Sequence, residues 1–337
     1  MSSATVTVTE LDEASAWTAI VEAGPALPTH RHSAIAAAAQ TLGGAGKLWS
    51  WRTDHGVALC AVIARPLASG GFDLVTPIGF SGLAYAGDPS GLSEAWTTDW
   101  RTRGAVAAYL QLHPFRSADQ WQEVWHGVAP GLRTGPVTYV WDLTPSLEAL
   151  EQGLARDHKL RLRKWWKQDT QTVVDGPALA DRFAELYADF ATRRAVGSAY
   201  QMRPEVLRAV ADDEGVMAVG AGPRDEAVSA VSLFPYAGAR ADYYLNGAAP
   251  DGRHHARGLV WTAMTALKQR GVQSFNLGGG VRPGDSLDSF KRRFGAQPVE
   301  TRVLCQVFDA HAYAKACAHR GVEPDDDSGY FPIYRKP

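Results

Sequence analysis

The chain has 337 residues, with 34 Lys and Arg against 36 Asp and Glu, a net charge of −2 and 45% hydrophobic residues. That length accommodates two domains of ordinary size, each with its own core, and the composition is that of a soluble globular protein. No apolar run approaches the roughly 20 residues that span a bilayer, and the opening MSSATVTVTE lacks the basic start and apolar centre of a signal peptide, so a cytoplasmic protein is expected.

Cys60, Cys305 and Cys317 form no C-x-x-C pair, and each reads as a small buried hydrophobe rather than part of a disulfide or zinc framework. Charge is uneven along the chain. Residues 1–145 carry 8 Lys and Arg against 12 Asp and Glu, whereas residues 146–337 carry 26 against 24. Local basic charge of this kind suits contact with one end of a polyanion better than wrapping along it.

In chain order, Thr5–Leu11 alternates as a half-buried strand does, and a short helix over about Ala14–Glu22 precedes Pro25 and Pro28. Ser33–Leu42 reads as a helix, and Lys47–Arg52 with Gly56–Arg65 as a strand pair joined at Asp54-His55-Gly56. Thr76–Tyr85, with glycines and a proline among apolar residues, reads as a loop. Leu92–Gly104, continuing toward Ala108, reads as a helix, Ala108–Leu112 as a strand before His113-Pro114, and Val137–Leu143 as another strand. The domain boundary is placed after it, giving domains 1–145 and 146–337.

Ser146–Gln168 reads as one helix, with Arg156, Lys159, Arg163 and Lys167 in one stripe and Leu154, Leu162 and Trp165 about 150° away. Such a basic face is commonly just solvated, although Trp165-Trp166 beside arginines can also stack on bases or on phosphate-bearing ligands. A strand at Thr170–Val174, helices at Pro177–Arg194 and Pro204–Asp212, and a meander at Val216–Ala221, Ala227–Tyr236 and Arg240–Gly247 follow, with Tyr243 and Tyr244 on opposite faces of the last strand. Arg253–Gly258, R-H-H-A-R-G, leads into a helix at Leu259–Arg270. Histidine is the side chain whose ordinary titration lies nearest neutrality, which makes His254 and His255 candidate bases, but in a Gly-flanked loop they read as exposed polar residues.

The most informative stretch is Gly271–Gly295, GVQSFNLGGGVRPGDSLDSFKRRFG. A strand ends at Leu277, and Gly278, Gly279 and Gly280 leave the backbone open to close approach. Pro283-Gly284-Asp285 turns the chain into a short helix, capped by Asp or Ser, that delivers Phe290 and Lys291. Beyond it come a strand at Val303–Phe308, a helix at Ala310–Gly321 and the tail Tyr330–Arg335.

The order N-L-G-G-G, a linker over 281–289 and then F-K-x-x-F-G resembles the closing segment of the FemABX-like branch of the GNAT acyltransferase superfamily. The basic helix before Thr170–Val174, Y-L-Q-L-H-P-F at 109–115 and F-P-I-Y-R at 331–335 are similar to other parts of that pattern. The resemblance implies an α/β (α+β) fold of two tandem GNAT-like domains, each a mixed, mainly antiparallel sheet flanked by helices. It also implies transfer of an aminoacyl group from aminoacyl-tRNA to the amine of a peptide-like or cell-wall-precursor small molecule, with no cofactor beyond that co-substrate. The run 203–216 has no inserted helical arm, which favours a smaller acceptor.

Such a transfer needs a neutral amine, alignment with the ester and donors for the oxyanion, and no Ser-His-Asp or Cys-His set. By the resemblance, Lys291 is the cation at the scissile carbonyl; Tyr244 is a second candidate, as a hydroxyl donor. Arg193 or Arg194, Phe290, Gly278, Gly279 and Gly280 are candidates for substrate contact, and Arg156, Lys159, Arg163, Lys167 and Arg257 for tRNA or phosphate contact. Asp285 and Asp288 could deprotonate an ammonium or cap the helix. No metal site is expected.

Two departures leave alternatives open. Trp165-Trp166 replaces smaller residues, and R-H-H-A-R-G lacks the first glycine of the R/Q-x-x-G-x-G/A loop with which GNAT enzymes hold coenzyme A at a helix start. An acyl-CoA-dependent N-acyltransferase is the first alternative, and a non-catalytic binding module of the same two-lobed fold the second.

Overall fold

The computed structural model describes residues 4–77, 79, 81–176, 178–194, 197, 200–224, 226–280, 282, 284–326 and 328–336, with the side chain of Arg194 outside the description. The chain runs β1 (Thr5–Glu10), α1 (Ala14–Ala23), α2 (His32–Leu42), β2 (Ala45–Arg52), β3 (Gly56–Pro66), β4 (Phe72–Val75), β5 (Leu83–Gly87), α3 (Leu92–Thr102), β6 (Ala105–Gln111), α4 (Ala118–Val124) and β7 (Pro130–Asp142). It continues with α5 (Leu147–Gly153), α6 (Arg156–Trp166), β8 (Thr170–Val174), α7 (Leu179–Arg194), α8 (Pro204–Ala211), β9 (Val216–Pro223), β10 (Ala230–Ala237), β11 (Arg240–Asp242) and β12 (Leu245–Ala248). Last come α9 (Ala256–Gln269), β13 (Ser274–Asn276), α10 (Ser286–Arg292), β14 (Gln297–Val307) and α11 (Ala310–Arg320).

Two compact units result, one of residues 1–26, 30–136 and 300–337 and the other of 27–29 and 137–299. In the first, strands run β1-β2-β3-β4-β6-β14, with β5 on β3. Its pairings are antiparallel except β4 with β6. The core is a pile of indoles: Trp49 meets Trp96 edge-on at 5.2 Å, and Trp96 meets Trp100 at 5.6 Å and Trp125 at 6.2 Å. Such contacts add to the large area each ring removes from water. Spacing of four residues puts Trp96 and Trp100 on one face of α3, and both are fully buried.

In the second unit, strands run β7-β13-β11-β10-β9-β8 with β12 on β10, and among the described residues only β11 with β13 is parallel. Helix α9 buries Leu259, Val260, Ala263, Met264 and Leu267, the 3- and 4-residue repeat of an amphipathic helix.

The mixed, mainly antiparallel α/β architecture expected from the sequence is present in both units. Several details differ. The expected boundary after 145 lies beyond the change of unit at 136/137, and residues 300–337 return to the first unit because β14 pairs with β6 from Val303↔Gln111 to Val307↔Ala107. A local pattern shows a strand but not its partner. The expected helix over 146–168 is two helices, since Leu154 and Ala155 are extended and the Ala155 N–H donates to Arg293 O at 2.9 Å. The expected strand over 240–247 breaks at Tyr243-Tyr244, and 105–108 is strand rather than the end of a helix. Part of the expected loop over 76–85 is β5; Ile78 and Phe80 in it lie outside the described residues. All three cysteines are buried and free.

Candidate functional site

Strands β11 and β13 run in parallel up to the pair Asp242↔Asn276. Past it they part: the Leu277 N–H donates to Tyr139 O and the Tyr139 N–H to Gly278 O, so the chain after β13 follows β7, while β12 pairs with β10. Carboxyl ends of strands that diverge are where open α/β sheets admit ligands. The glycine triplet starts there.

Close approach explains those glycines. A Cβ on Gly279 would lie 2.2 Å from Val137 O and one on Gly280 2.5 Å from Asp285 Oδ1. Gly278 has φ +73°, where side chains are disfavoured, and a Cβ there would lie 2.9 Å from Lys291 Nζ. Asp285 caps α10 by accepting from the Asp288 N–H at 2.7 Å.

Lys291, in α10, is only 7% exposed, and its Nζ donates to Gly279 O at 2.6 Å. Burial lowers its pKa to about 8, against the opposing pull of Asp285 and Asp288. Beside it, burial and then a hydrogen bond with Asp288 raise the Tyr139 phenol. The result is an ammonium held with little solvent, close to neutral pH in its titration.

Phe290 turns inward: it meets Phe294 at 5.2 Å and His158 at 5.4 Å, and the Arg257 guanidinium lies 5.7 Å from its centroid. Both His158 ring nitrogens and Arg257 Nε are buried with no hydrogen-bond partner. Burial and Arg257 depress His158 to about 4, and burial with Arg161 and Arg293 lowers Arg257. Unpaired donors and crowded cations of this kind suit an anion.

The remaining candidates are dispersed. Tyr244 has Tyr187 and Tyr200 as its titratable neighbours, and burial raises its phenol strongly; Tyr243 stacks on Phe234 at 5.3 Å. Arg193 is occupied within the unit, donating to Asp189 and to Ala248 O, both at 2.8 Å; the Arg194 side chain lies outside the described residues. On α6 and at its C-cap, Arg156 and Lys167 are exposed, Lys159 donates to Gln152 O at 3.2 Å and Arg163 pairs with Glu151 at 3.0 Å. His254 is exposed as expected, but His255 is not: it is buried and accepts from Trp165 Nε1 at 2.9 Å, and burial lowers it to about 4. A second indole contact is why residue 258 is glycine, since a Cβ there would lie 2.3 to 2.6 Å from three Trp165 ring atoms. Gly258→Ala is therefore expected to destabilise the protein by about 2–3 kcal/mol through overpacking, outweighing the ~1 kcal/mol helix preference for Ala. A lowered urea midpoint at unchanged slope would show it.

Reading the sequence missed Asp242, Thr138 and His158. Asn276 belongs to the N-L-G-G-G motif, a usable local signal; nothing local marks the other three. Among the described residues no group of His, Cys, Asp and Glu could hold a metal ion, and no helix is long and apolar enough to cross a membrane.

No protein-family model and no curated protein matches this sequence. Solved structures do. The chain is similar to FemX, with 13% identity and a TM-score of 0.65 over 90% of this chain and 97% of that one. It is also similar to the C-terminal domain of a putative lysylphosphatidylglycerol synthetase from Agrobacterium fabrum, at 16% identity and TM-score 0.51 over 77% and 83% of the two chains. L-PGS from Bacillus licheniformis matches at 10% and 0.51, over 79% and 86%. The fold is thus the FemX-like one that the Gly278–Gly295 segment resembled.

Proposed function

We propose that the protein is an acyltransferase that moves an aminoacyl group from aminoacyl-tRNA to the amine of a peptide-like or cell-wall-precursor small molecule. The observation that carries this reading is Lys291, a buried cation fixed on a carbonyl where two parallel strands part. The acceptor amine attacks the ester carbonyl, a C–N bond forms, and the C–O bond to the terminal ribose breaks. The amine loses a proton and the ribose oxygen gains one. Lys291 stabilises the oxyanion between these events, a role worth most where water is excluded.

Phe290, next to Lys291 in sequence, packs against Arg257 and His158, whose Nε and ring nitrogens respectively have no hydrogen-bond partner and are suited to a phosphate at the acceptor end of the tRNA. The fit of Trp165 on Gly258 and His255 favours this donor over coenzyme A, because the indole occupies the start of α9, where a pyrophosphate loop would be.

Transfer should fall as pH rises through about 8, as the Lys291 cation is lost. Lys291→Arg, which keeps its charge, should abolish that alkaline limb in a pH–rate profile even at a reduced maximum. In stability the sign is reversed. The unfolded chain binds more protons at this group between about 8 and 10.5, so its contribution to stability rises with pH over that window.

The test is to offer labelled aminoacyl-tRNAs and, separately, labelled acetyl-CoA to the purified protein with a panel of peptide and precursor amines. Label passing from aminoacyl-tRNA supports the proposal; label passing only from acetyl-CoA replaces the donor; binding without transfer from either points to a non-catalytic module.

A further inference from the structure

Behind the glycine triplet lies a buried polar chain. Thr138, Asp242 and Asn276 are at most 5% exposed. Asn276 Oδ1 accepts from Thr138 Oγ1 at 2.6 Å and from the Gly278 N–H at 2.9 Å. A backbone N–H can only donate, so the atom facing it is the amide oxygen and Nδ2 must face the other way. There it donates to Asp242 Oδ1 at 2.8 Å, while Asp242 Oδ2 has no partner. A half-satisfied buried carboxyl is costly. Apolar packing could close this strand pair without that cost, so the chain needs a reason beyond stability.

Its position supplies one. Asn276 holds the N–H of Gly278, and the next carbonyl, of Gly279, accepts the Lys291 ammonium. Movement of the Gly278 backbone would move that acceptor, and Lys291 Nζ already sits within 2.9 Å of where a Cβ on Gly278 would be.

We propose that the Asp242–Asn276 pair is a positioning device for Lys291: Asp242 orients the Asn276 amide, and Asn276 fixes the Gly278–Gly279 turn that aims the ammonium. Neither residue touches substrate. The inference rests on the reading of Lys291 as the catalytic cation only for its kinetic consequence; the placement of the amine can be tested by itself.

Exchange of the two residues is the most discriminating experiment. Asn276→Asp sets two carboxyl groups against each other and replaces the fixed amide donor to Asp242 with, at most, one shared proton. Combined with Asp242→Asn, the polarity is reversed with every bond restored, since the carboxylate introduced at position 276 accepts from Thr138, Gly278 and the new amide at 242. Two readouts are followed: kcat and KM for transfer, and the pH dependence of acetic anhydride labelling of Lys291, measured by mass spectrometry. Asn276→Asp should lower kcat about 10- to 100-fold with little change in KM, in line with the cost of a misplacement of about 1 Å. Its Lys291 labelling midpoint should move up from about 8 toward the ordinary lysine range as the amine gains solvent. The double variant should recover both.

Thr138→Val, nearly isosteric, removes one donor and keeps the readout available should Asn276→Asp not fold; a smaller upward shift of the same midpoint is expected. An unmoved labelling midpoint in a folded Asn276→Asp or Thr138→Val protein, or a folded double variant as impaired as the single one, would overturn the proposal. If wild-type protein transfers nothing, the labelling midpoints still decide this inference, and only the functional reading falls.

Discussion

Lys291→Ala is expected to lower kcat for transfer by about 10²- to 10³-fold, the loss typical of removing one preorganised oxyanion stabiliser, with the circular dichroism spectrum and melting temperature close to those of the parent. Stability should change little because two effects oppose one another. The substitution removes a cation whose desolvation depresses its pKa to about 8, but also a hydrogen bond to Gly279 O and the attraction of Asp285 and Asp288. A structural lysine would behave differently: its removal would lower stability and activity together. Single-turnover rates beside a urea titration separate these cases.

Asp73→Ala should give the largest loss of stability. The Asp73 carboxylate is fully buried and accepts from Arg65 Nε and Arg335 Nε, both at 2.8 Å; Arg335 also donates to Pro66 O at 3.0 Å. Removing the shared anion leaves two guanidinium groups facing each other with no counter-charge, at a cost of about 3 kcal/mol, the low end for broken buried pairs because both arginines keep some solvent. The C-terminal segment should loosen first, so limited proteolysis after residue 320 would accelerate before global unfolding. Asp73→Asn, which keeps an acceptor, should lose less.

This triad shows what the sequence could and could not reveal. Periodicity located β14, α11 and the aromatic tail, but nothing local in them says that they belong with β4 and β6, some 200 residues earlier. Long-range pairing is a property of the assembled sheet. Short elements were lost for a different reason. The apolar run Leu83–Gly87 is interrupted by turn residues nearby and reads equally as loop, whereas α4 carried a legible sign, the Ser117–Gln120 capping box, that periodicity alone passed over.

At the site, the glycine loop and the capped helix that carries Lys291 were legible because glycine and helix-cap chemistry are local, whereas the choice of Lys291 within them came from the family resemblance. Asp242 was invisible: as the last residue of a short strand it looks like an ordinary turn aspartate, and only its register opposite Asn276 makes it part of the site. His255 was misread as an exposed loop residue, since its burial depends on Trp165, distant in sequence. The basic stripe of α6 was read correctly as a stripe. Of its members, Arg163 and Lys159 are held by Glu151 and Gln152, and the crowded cationic position lies instead at Arg257.

We propose that Lys291 serves transfer of an aminoacyl group from aminoacyl-tRNA. It is tested most directly by mixing excess protein with one labelled aminoacyl-tRNA at a time and a mixture of candidate amines, and following label into a new amide for the parent and for Lys291→Ala. Label should pass from at least one aminoacyl-tRNA with the parent protein and about 10²-fold or more slowly with the variant. Equal rates for the two proteins, or label moving from acetyl-CoA and from no aminoacyl-tRNA, would contradict it.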